Sequence, residues 1–251
     1  MKKKWKYKIY TFFSSVYIFF YYKLSKQGSR IRKKKNCHLD KRCFVIGNGP
    51  SLKIEDLNKL KNEITFASNK IYYAFRKTDW RPTYYFVVDP PSLVTDCENI
   101  KSVEAGEKYI GLFDNYKIAR MYPNDIIKFK MPLNYTKPMK FSKNTSCIVE
   151  RGYTVLYSCL QFAAYMGIRE IYLLGVDCNY PNTSVDGEKY INHFMGIRTD
   201  AFIESSVTNN MRNAYEAAKK YADENGIKIF NATRGGKLEV FERIQFDTLF
   251  S

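Results

Sequence analysis

Metal-binding patterns are missing from this chain of 251 residues. Its six cysteines (Cys37, Cys43, Cys97, Cys147, Cys159 and Cys178) contain no CxxC pair or other metal-ligand spacing. Only two histidines, His38 and His193, are present, and no metal site is expected. The cysteine usage fits a reducing compartment; Cys43 and Cys159 lie in apolar segments and read as buried small hydrophobes. No internal repeat is visible. A Walker A loop is absent, and so is a complete GxGxxG, which excludes the two commonest phosphate-loop signatures. Acidic residues are nearly absent from residues 1–42, where 14 Lys+Arg face Asp40 alone. The other 209 residues hold 27 Lys+Arg against 24 Asp+Glu, so the net charge of +16 belongs to the amino-terminal segment. A nucleic-acid partner is excluded by that near-neutral body.

What is present begins with that segment. Lys2, Lys3, Lys4, Lys6 and Lys8 precede an uncharged stretch, Ile9 to Tyr22, followed by Lys23, Lys26, Arg30, Arg32 and Lys33-Lys34-Lys35. As a helix the uncharged stretch would measure ~21 Å, short of a ~30 Å hydrocarbon core. Its phenylalanines and tyrosines suit the headgroup zone, and the flanking cations suit an anionic cytoplasmic leaflet. Residues 1–42 are therefore expected to associate with the membrane, with residues 1–35 touching the cytoplasmic face of the inner membrane. A short transmembrane span and a helix packed on the protein itself are the alternatives; no small-residue cleavage site supports a signal peptide.

Residues 43–251 carry the aromatic content of a folded domain, with 21 Tyr and 18 Phe in the whole chain. Short apolar runs predict strands at 43–46, 64–67, 84–88, 109–112, 126–129, 171–174 and 227–230. Helices are expected over 52–61 with Ser51 as cap, over 155–166 up to Gly167, and over 209–224 up to Gly226. Residues 90–107 and 131–150 read as loops. Helices alternating with fully apolar strands indicate a Rossmann-like α/β fold, a mostly parallel sheet with helices on both faces, in one domain.

Ligands of such sheets collect at the carboxyl ends of the strands. There stand Gly47-Asn48-Gly49-Pro50-Ser51, Ser68-Asn69, Asp89, Asp177 and Asn231-Ala232-Thr233. Glycines at 47 and 49 let backbone N–H groups approach a phosphate, although a tight turn explains a lone Gly-Asn-Gly equally well. Asn69 suits a phosphate or ribose; Asp89 and Asp177 suit a ribose hydroxyl, a metal or an acceptor hydroxyl. His193, in an irregular segment after Asp177, is the candidate general acid–base.

Gly-Asn-Gly-Pro-Ser-Leu at 47–52 with Ser-Asn at 68–69 resembles the bacterial sialyltransferases of glycosyltransferase family 42. It also resembles the related superfamily of 6-hydroxymethylpterin diphosphokinase-like and flagellin-glycosylation accessory proteins. The likeness continues through Gly152-Tyr153-Thr154-Val155, Leu-Gly-Val-Asp-Cys-Asn-Tyr at 174–180 and Asn-Ala-Thr-x-Gly-Gly-Lys-Leu-Glu-Val-Phe at 231–241. It implies a nucleotide fold in which positions matching Asn48, Ser51 and Asn69 surround CMP and one matching Thr154 lies near the donor. Asp89 stands where the sialyltransferases carry asparagine. Their histidine precedes the helix matching 209–224, where this chain has Ser205-Ser206-Val207-Thr208; His193 lies earlier. The expected donor-binding set is Gly47, Asn48, Gly49, Ser51, Ser68, Asn69, Asp89 and Thr154, with His193 and Asp177 catalytic. The expected activity is transfer of a sialic-acid-like sugar from a CMP donor to a glycan or lipid-linked glycan, without a cofactor. Two alternatives stand beside it: ATP-dependent pyrophosphoryl transfer to a hydroxymethylpterin-like alcohol, with Mg²⁺ on Asp89 and Asp177, and a non-catalytic nucleotide-sugar binder. A homo-oligomer is left open.

Overall fold

A computed structural model describes residues 25–113, 116–179, 190–191, 194, 198–199 and 205–250. Strands β1 (Arg42–Ile46), β2 (Ile64–Ser68), β3 (Tyr84–Val87), β4 (Glu107–Leu112), β5 (Ile127–Lys130), β6 (Glu170–Leu174), β9 (Lys228–Asn231) and β10 (Glu242–Arg243) form one sheet. Its order is β10-β9-β6-β1-β2-β3-β4-β5, and every pairing is parallel. Two-residue strands β7 (Tyr190–Ile191) and β8 (Arg198–Thr199) pair antiparallel in a separate ribbon.

The apolar runs are continuous because both faces are covered. On one face Val45, Phe66, Phe86, Tyr109 and Phe129 pack with α6 (Val155–Tyr165) and α7 (Ser205–Glu224). The Phe162 ring lies 5.1 Å from the rings of Phe86, Tyr109 and Phe129. Burial of a side chain of that size contributes about 1.5–3 kcal/mol. On the other face Phe44, Ala67, Tyr85 and Val87 meet Leu57 of α2 (Ile54–Lys59), a 3₁₀ helix at Asn69–Arg76, and Phe246 near the carboxyl end. Gln161, buried inside α6, accepts from the amides of Ser142 and Glu150 at 2.9 Å and donates to the Glu150 carbonyl at 3.0 Å. One side chain thus pins the 142–150 loop to the core.

Three local expectations are corrected. The stretch 90–107 holds helices α3 (Pro90–Thr95) and α4 (Cys97–Ser102) before β4, because Pro90 and Pro91 occupy first-turn positions that tolerate proline and Asp89 caps them. The N-cap position of α2 is Lys53, not Ser51, and its amide donates to Asp56 Oδ2 at 3.2 Å. Helix α7 starts at Ser205, earlier than 209. After Asn231 the chain returns in β10, parallel to β9. One more helix, α5 (Tyr116–Met121), precedes β5.

Residues 25–42, read above as the end of the basic segment, lie along the amino-terminal rim of the sheet. Helix α1 (Lys26–Arg32) is capped by Ser25 and buries Ile31 in the core. Arg30 donates to the carbonyls of Asn124 and Asp125 at 2.8 and 2.7 Å, ahead of β5. Lys34 pairs with Glu107 of β4 at 2.7 Å, and His38 Nε2 lies 2.6 Å from the Tyr84 hydroxyl of β3. The amides of Asn36, His38 and Asp40 donate to the carbonyls of Tyr165, Met166 and Gly167, and Arg42 then opens β1. The packed body therefore begins at Ser25 among the described residues. Ile9 to Tyr22 lie outside them, and no helix among the described residues is long and apolar enough to cross a membrane.

Candidate active site

The chain builds β1 through β5 outward in one direction, then returns to place β6 on the other side of β1. The strand order reverses at β1, and ligands of such sheets collect at the carboxyl ends of the strands beside that point. A cleft open to solvent occupies that point. Gly47, Asn48 and Gly49 line it from β1, Ser68 and Asn69 from β2, Asp177 from β6 and Thr154 from the start of α6. Seven of the expected residues thus share one cavity.

The glycines answer to the opposing loop. A Cβ at position 47 would lie 2.3 Å from the Gly175 carbonyl oxygen, and one at 49 would lie 1.9 Å from Asp177 Oδ2. The amide of Gly47 donates to Leu174 O at 2.8 Å and that of Gly49 to Gly175 O at 2.9 Å. Those two N–H groups close the β1 loop against the β6 loop, so they do not face a phosphate. The short α2 begins only at Ile54, beyond the loop. The amino end that does line the cleft is that of α6, through Thr154, Val155 and Leu156. Thr154 caps it, accepting from the Leu156 amide at 3.3 Å. An eleven-residue helix ending here offers partial positive charge to an anion.

Across from it, Ser51 donates its hydroxyl to Asp177 Oδ2 at 2.8 Å. Burial raises the Asp177 pKa, and the hydrogen bonds from Ser51 restrain the rise. The backbone on either side is braced: Lys237 N donates to Asp177 O at 2.7 Å, and Val176 N to Thr233 Oγ1 at 3.0 Å. The 231–237 loop thus supports the carboxylate from behind. Beside it, burial and the neighbouring Asp177 push the Cys178 thiol up to about 11, which leaves it a poor nucleophile at neutral pH.

Asn48 donates through Nδ2 to Ser68 O at 2.9 Å and accepts the Phe194 amide on its carbonyl at 2.8 Å. Asn69 adopts φ +50°, a left-handed conformation that asparagine tolerates, and its carbonyl accepts from the Tyr85 hydroxyl at 2.6 Å. Asn48 Oδ1 and Asn69 Oδ1 are buried with no hydrogen-bond partner among the described residues. Such orphaned acceptors are rare in protein interiors and suit a donor from a ligand.

Two expected residues stand elsewhere. Asp89 does not line the cleft: its carboxylate accepts from the Ser92 amide at 3.0 Å and from the Ser92 hydroxyl at 2.7 Å, capping α3. Asp177 thus lines the cleft without Asp89, and no group of three or more His, Cys, Asp or Glu side chains placed to hold a metal occurs among the described residues. His193 lies outside the described residues. Met211 and Tyr215 of α7, which also line the cleft, were not expected there. Their spacing continues to Ala218 and Ala222, so in sequence they blend into the buried stripe of the helix.

A wholly parallel α/β sheet with its cleft at the β1/β6 switch point defines a Rossmann-like fold. Within that class, the family described as 6-hydroxymethylpterin diphosphokinase MptE-like matches residues 19–183, and the chain belongs to this family. Among solved structures it is similar to the MAf glycosyltransferase from Magnetospirillum magneticum AMB-1, at 16% identity and TM-score 0.57. That match covers 84% of this chain but 34% of the MAf chain, so the protein spans about a third of that enzyme's length. The sialyltransferase CstII from Campylobacter jejuni, in complex with cytidine-5'-monophosphate, matches at 18% identity and TM-score 0.44 over 82% of this chain and 85% of its own. The α-2,3-sialyltransferase Cst-I from the same organism matches at 15% identity and TM-score 0.47, over 76% and 75%. No curated protein sequence matches the chain.

Proposed function

We propose that this protein is a glycosyltransferase moving a sialic-acid-like sugar from a CMP donor to a cell-surface glycan. The observation that carries the reading is the meeting, in one cleft, of the α6 amino end with the Asp177 carboxylate held by Ser51. Departure of CMP leaves negative charge on its phosphate, which the α6 amino end stabilises. The acceptor hydroxyl oxygen forms the new bond to the sugar as the bond to phosphate breaks, and its proton passes to a base. Asp177 suits that role because burial raises its proton affinity; His193 is the second candidate. Asn48 and Asn69 would accept hydrogen bonds from the nucleotide through their unpartnered oxygens. The chemistry needs no cofactor. The basic amino-terminal segment would hold the enzyme at the cytoplasmic face of the inner membrane, where lipid-linked acceptors are built.

Pyrophosphoryl transfer from ATP to a hydroxymethylpterin-like alcohol is the second reading, in keeping with the family's description. It needs Mg²⁺ on carboxylates, and Asp89 is committed to the α3 cap. Thermal shift of the full chain separates the two. CMP at one hundred times its dissociation constant would stabilise by ~2.7 kcal/mol, a rise of roughly 5–10 °C at this size. Stabilisation by ATP with Mg²⁺ and none by CMP sinks the sugar-transfer reading. A CMP shift without transfer to any glycan would leave a nucleotide-sugar binder. His193→Ala that keeps full transfer would retire His193 as a base.

A further inference from the structure

The strap at 25–42 has a charge pattern that its packing does not use. Residues 26–41 carry seven Lys+Arg against Asp40 alone. Some are engaged: Arg30 on two carbonyls, Lys34 with Glu107, and Asp40 with Arg169. Arg32, Lys33, Lys35 and Lys41 are exposed and make no ion pair among the described residues. Leu39, in the same turn-rich stretch, is 51% exposed, the highest value of any large hydrophobic residue described. Cations around an exposed apolar side chain suit the headgroup layer of an anionic bilayer.

The strap's place in the fold gives that surface a direction. It runs along the amino-terminal rim, from the residues before β5 to the start of β1. The described chain begins on the same rim at Ser25, which caps α1. The cleft opens at the opposite, carboxyl-terminal rim. The five residues of β1 alone separate the two rims by ~17 Å.

We propose that the amino-terminal rim, through Arg32, Lys33, Lys35, Leu39 and Lys41, is the face that docks on an anionic lipid surface, so that the cleft opens away from the bilayer. The inference extends the membrane part of the proposed function and is independent of the transfer chemistry. A lipid-linked acceptor then meets the cleft with its distal end, at least one strand length from the headgroups.

The test uses the full chain and vesicles of phosphatidylcholine with about one third phosphatidylglycerol. Hydrogen exchange with and without vesicles should show protection within 26–41 and none at 68–70 or 175–179. Protection at the carboxyl rim, or no vesicle binding by the unaltered protein, overturns the proposal. Charge reversal at Arg32, Lys33, Lys35 and Lys41 together should weaken binding by at least fivefold per site, from ~1 kcal/mol for each cation near the surface. Reversal of Lys53 and Lys70, exposed toward the other rim, should leave binding unchanged. Equal binding by the four-site variant and the unaltered chain refutes the rim assignment. The CMP shift, measured without vesicles, reports on the cleft alone, so failure of one reading is distinguishable from failure of the other.

Discussion

Replacing Gly47 by alanine tests whether the β1 loop is shaped by the β6 loop facing it. The added Cβ would meet the Gly175 carbonyl oxygen at 2.3 Å, its carbon at 2.9 Å and Val176 Cγ2 at 3.2 Å. The first two obstacles are backbone, and that carbonyl is held by the Gly49 amide at 2.9 Å. Neither side yields by a rotamer change, so the cost belongs with overpacking, about 1–3 kcal/mol. At ~2–4 °C per kcal/mol for a chain of this size, Tm should fall by roughly 3–10 °C. Displacement of Gly175 also carries Asp177 and should shrink the stabilisation by CMP. Gly226→Ala is the matched control. Its φ of +65° imposes a backbone cost of about 1–2 kcal/mol, yet a Cβ there meets nothing within 4 Å. Differential scanning fluorimetry with and without CMP should show both variants less stable, with the CMP response reduced only in Gly47→Ala. A Gly47→Ala protein with unaltered Tm and full CMP response would refute the close-approach argument.

Three further outcomes are expected. Asp177→Asn should abolish transfer by ~10²–10⁴-fold while CMP binding persists. Because burial raises the folded pKa of Asp177 above its unfolded value, the ionised carboxylate costs stability; the variant should melt higher at neutral pH, and the gap should close as pH falls through the folded pKa. Ser51→Ala removes a 2.8 Å hydrogen bond that lowers the Asp177 pKa, so the acid limb of the pH–rate profile should move to higher pH; an unmoved limb would dissociate Asp177 from the rate. Ile31→Ala should cost about 2–5 kcal/mol in denaturant unfolding, since Ile31 is 1% exposed within the core; a loss under ~0.5 kcal/mol, typical of surface sites, would remove α1 from the folded body.

The parallel sheet was legible because a strand buried on both faces must be apolar at every position. Cys43–Ile46 and Ile171–Leu174 show this, and their observed strands add one residue, Arg42 and Glu170, at the solvent-facing start. Elements lacking such a run were harder to read. Helix α3 hides behind two prolines, and α1 buries little beyond Ile31, so its cations dominated the reading. At the site, strand ends pointed to Gly47, Asn48, Asn69 and Asp177, and all four line one cleft. Ser51 and Asp89 carry the same ambiguity, for short polar side chains cap helices and bind ligands with the same atoms. Ser51 turned out to hold a carboxylate and Asp89 to cap a helix, the reverse of the helix-capping expectation for Ser51.

The strap along the amino rim also sets the route by which tension would travel through the molecule. A pull on Ser25 first loads the contacts of Gln27 and Arg30 with Asn124 and Asp125, ahead of the edge strand β5. It would then have to release Lys34 from Glu107 and His38 from Tyr84 before reaching Arg42. Arg42 is itself clamped, by Glu63 and by the Leu249 carbonyl from the carboxyl end of the chain. A pull on the amino terminus is therefore shared stepwise among the starts of β5, β4 and β3 and the turn between α6 and β6 before it reaches β1.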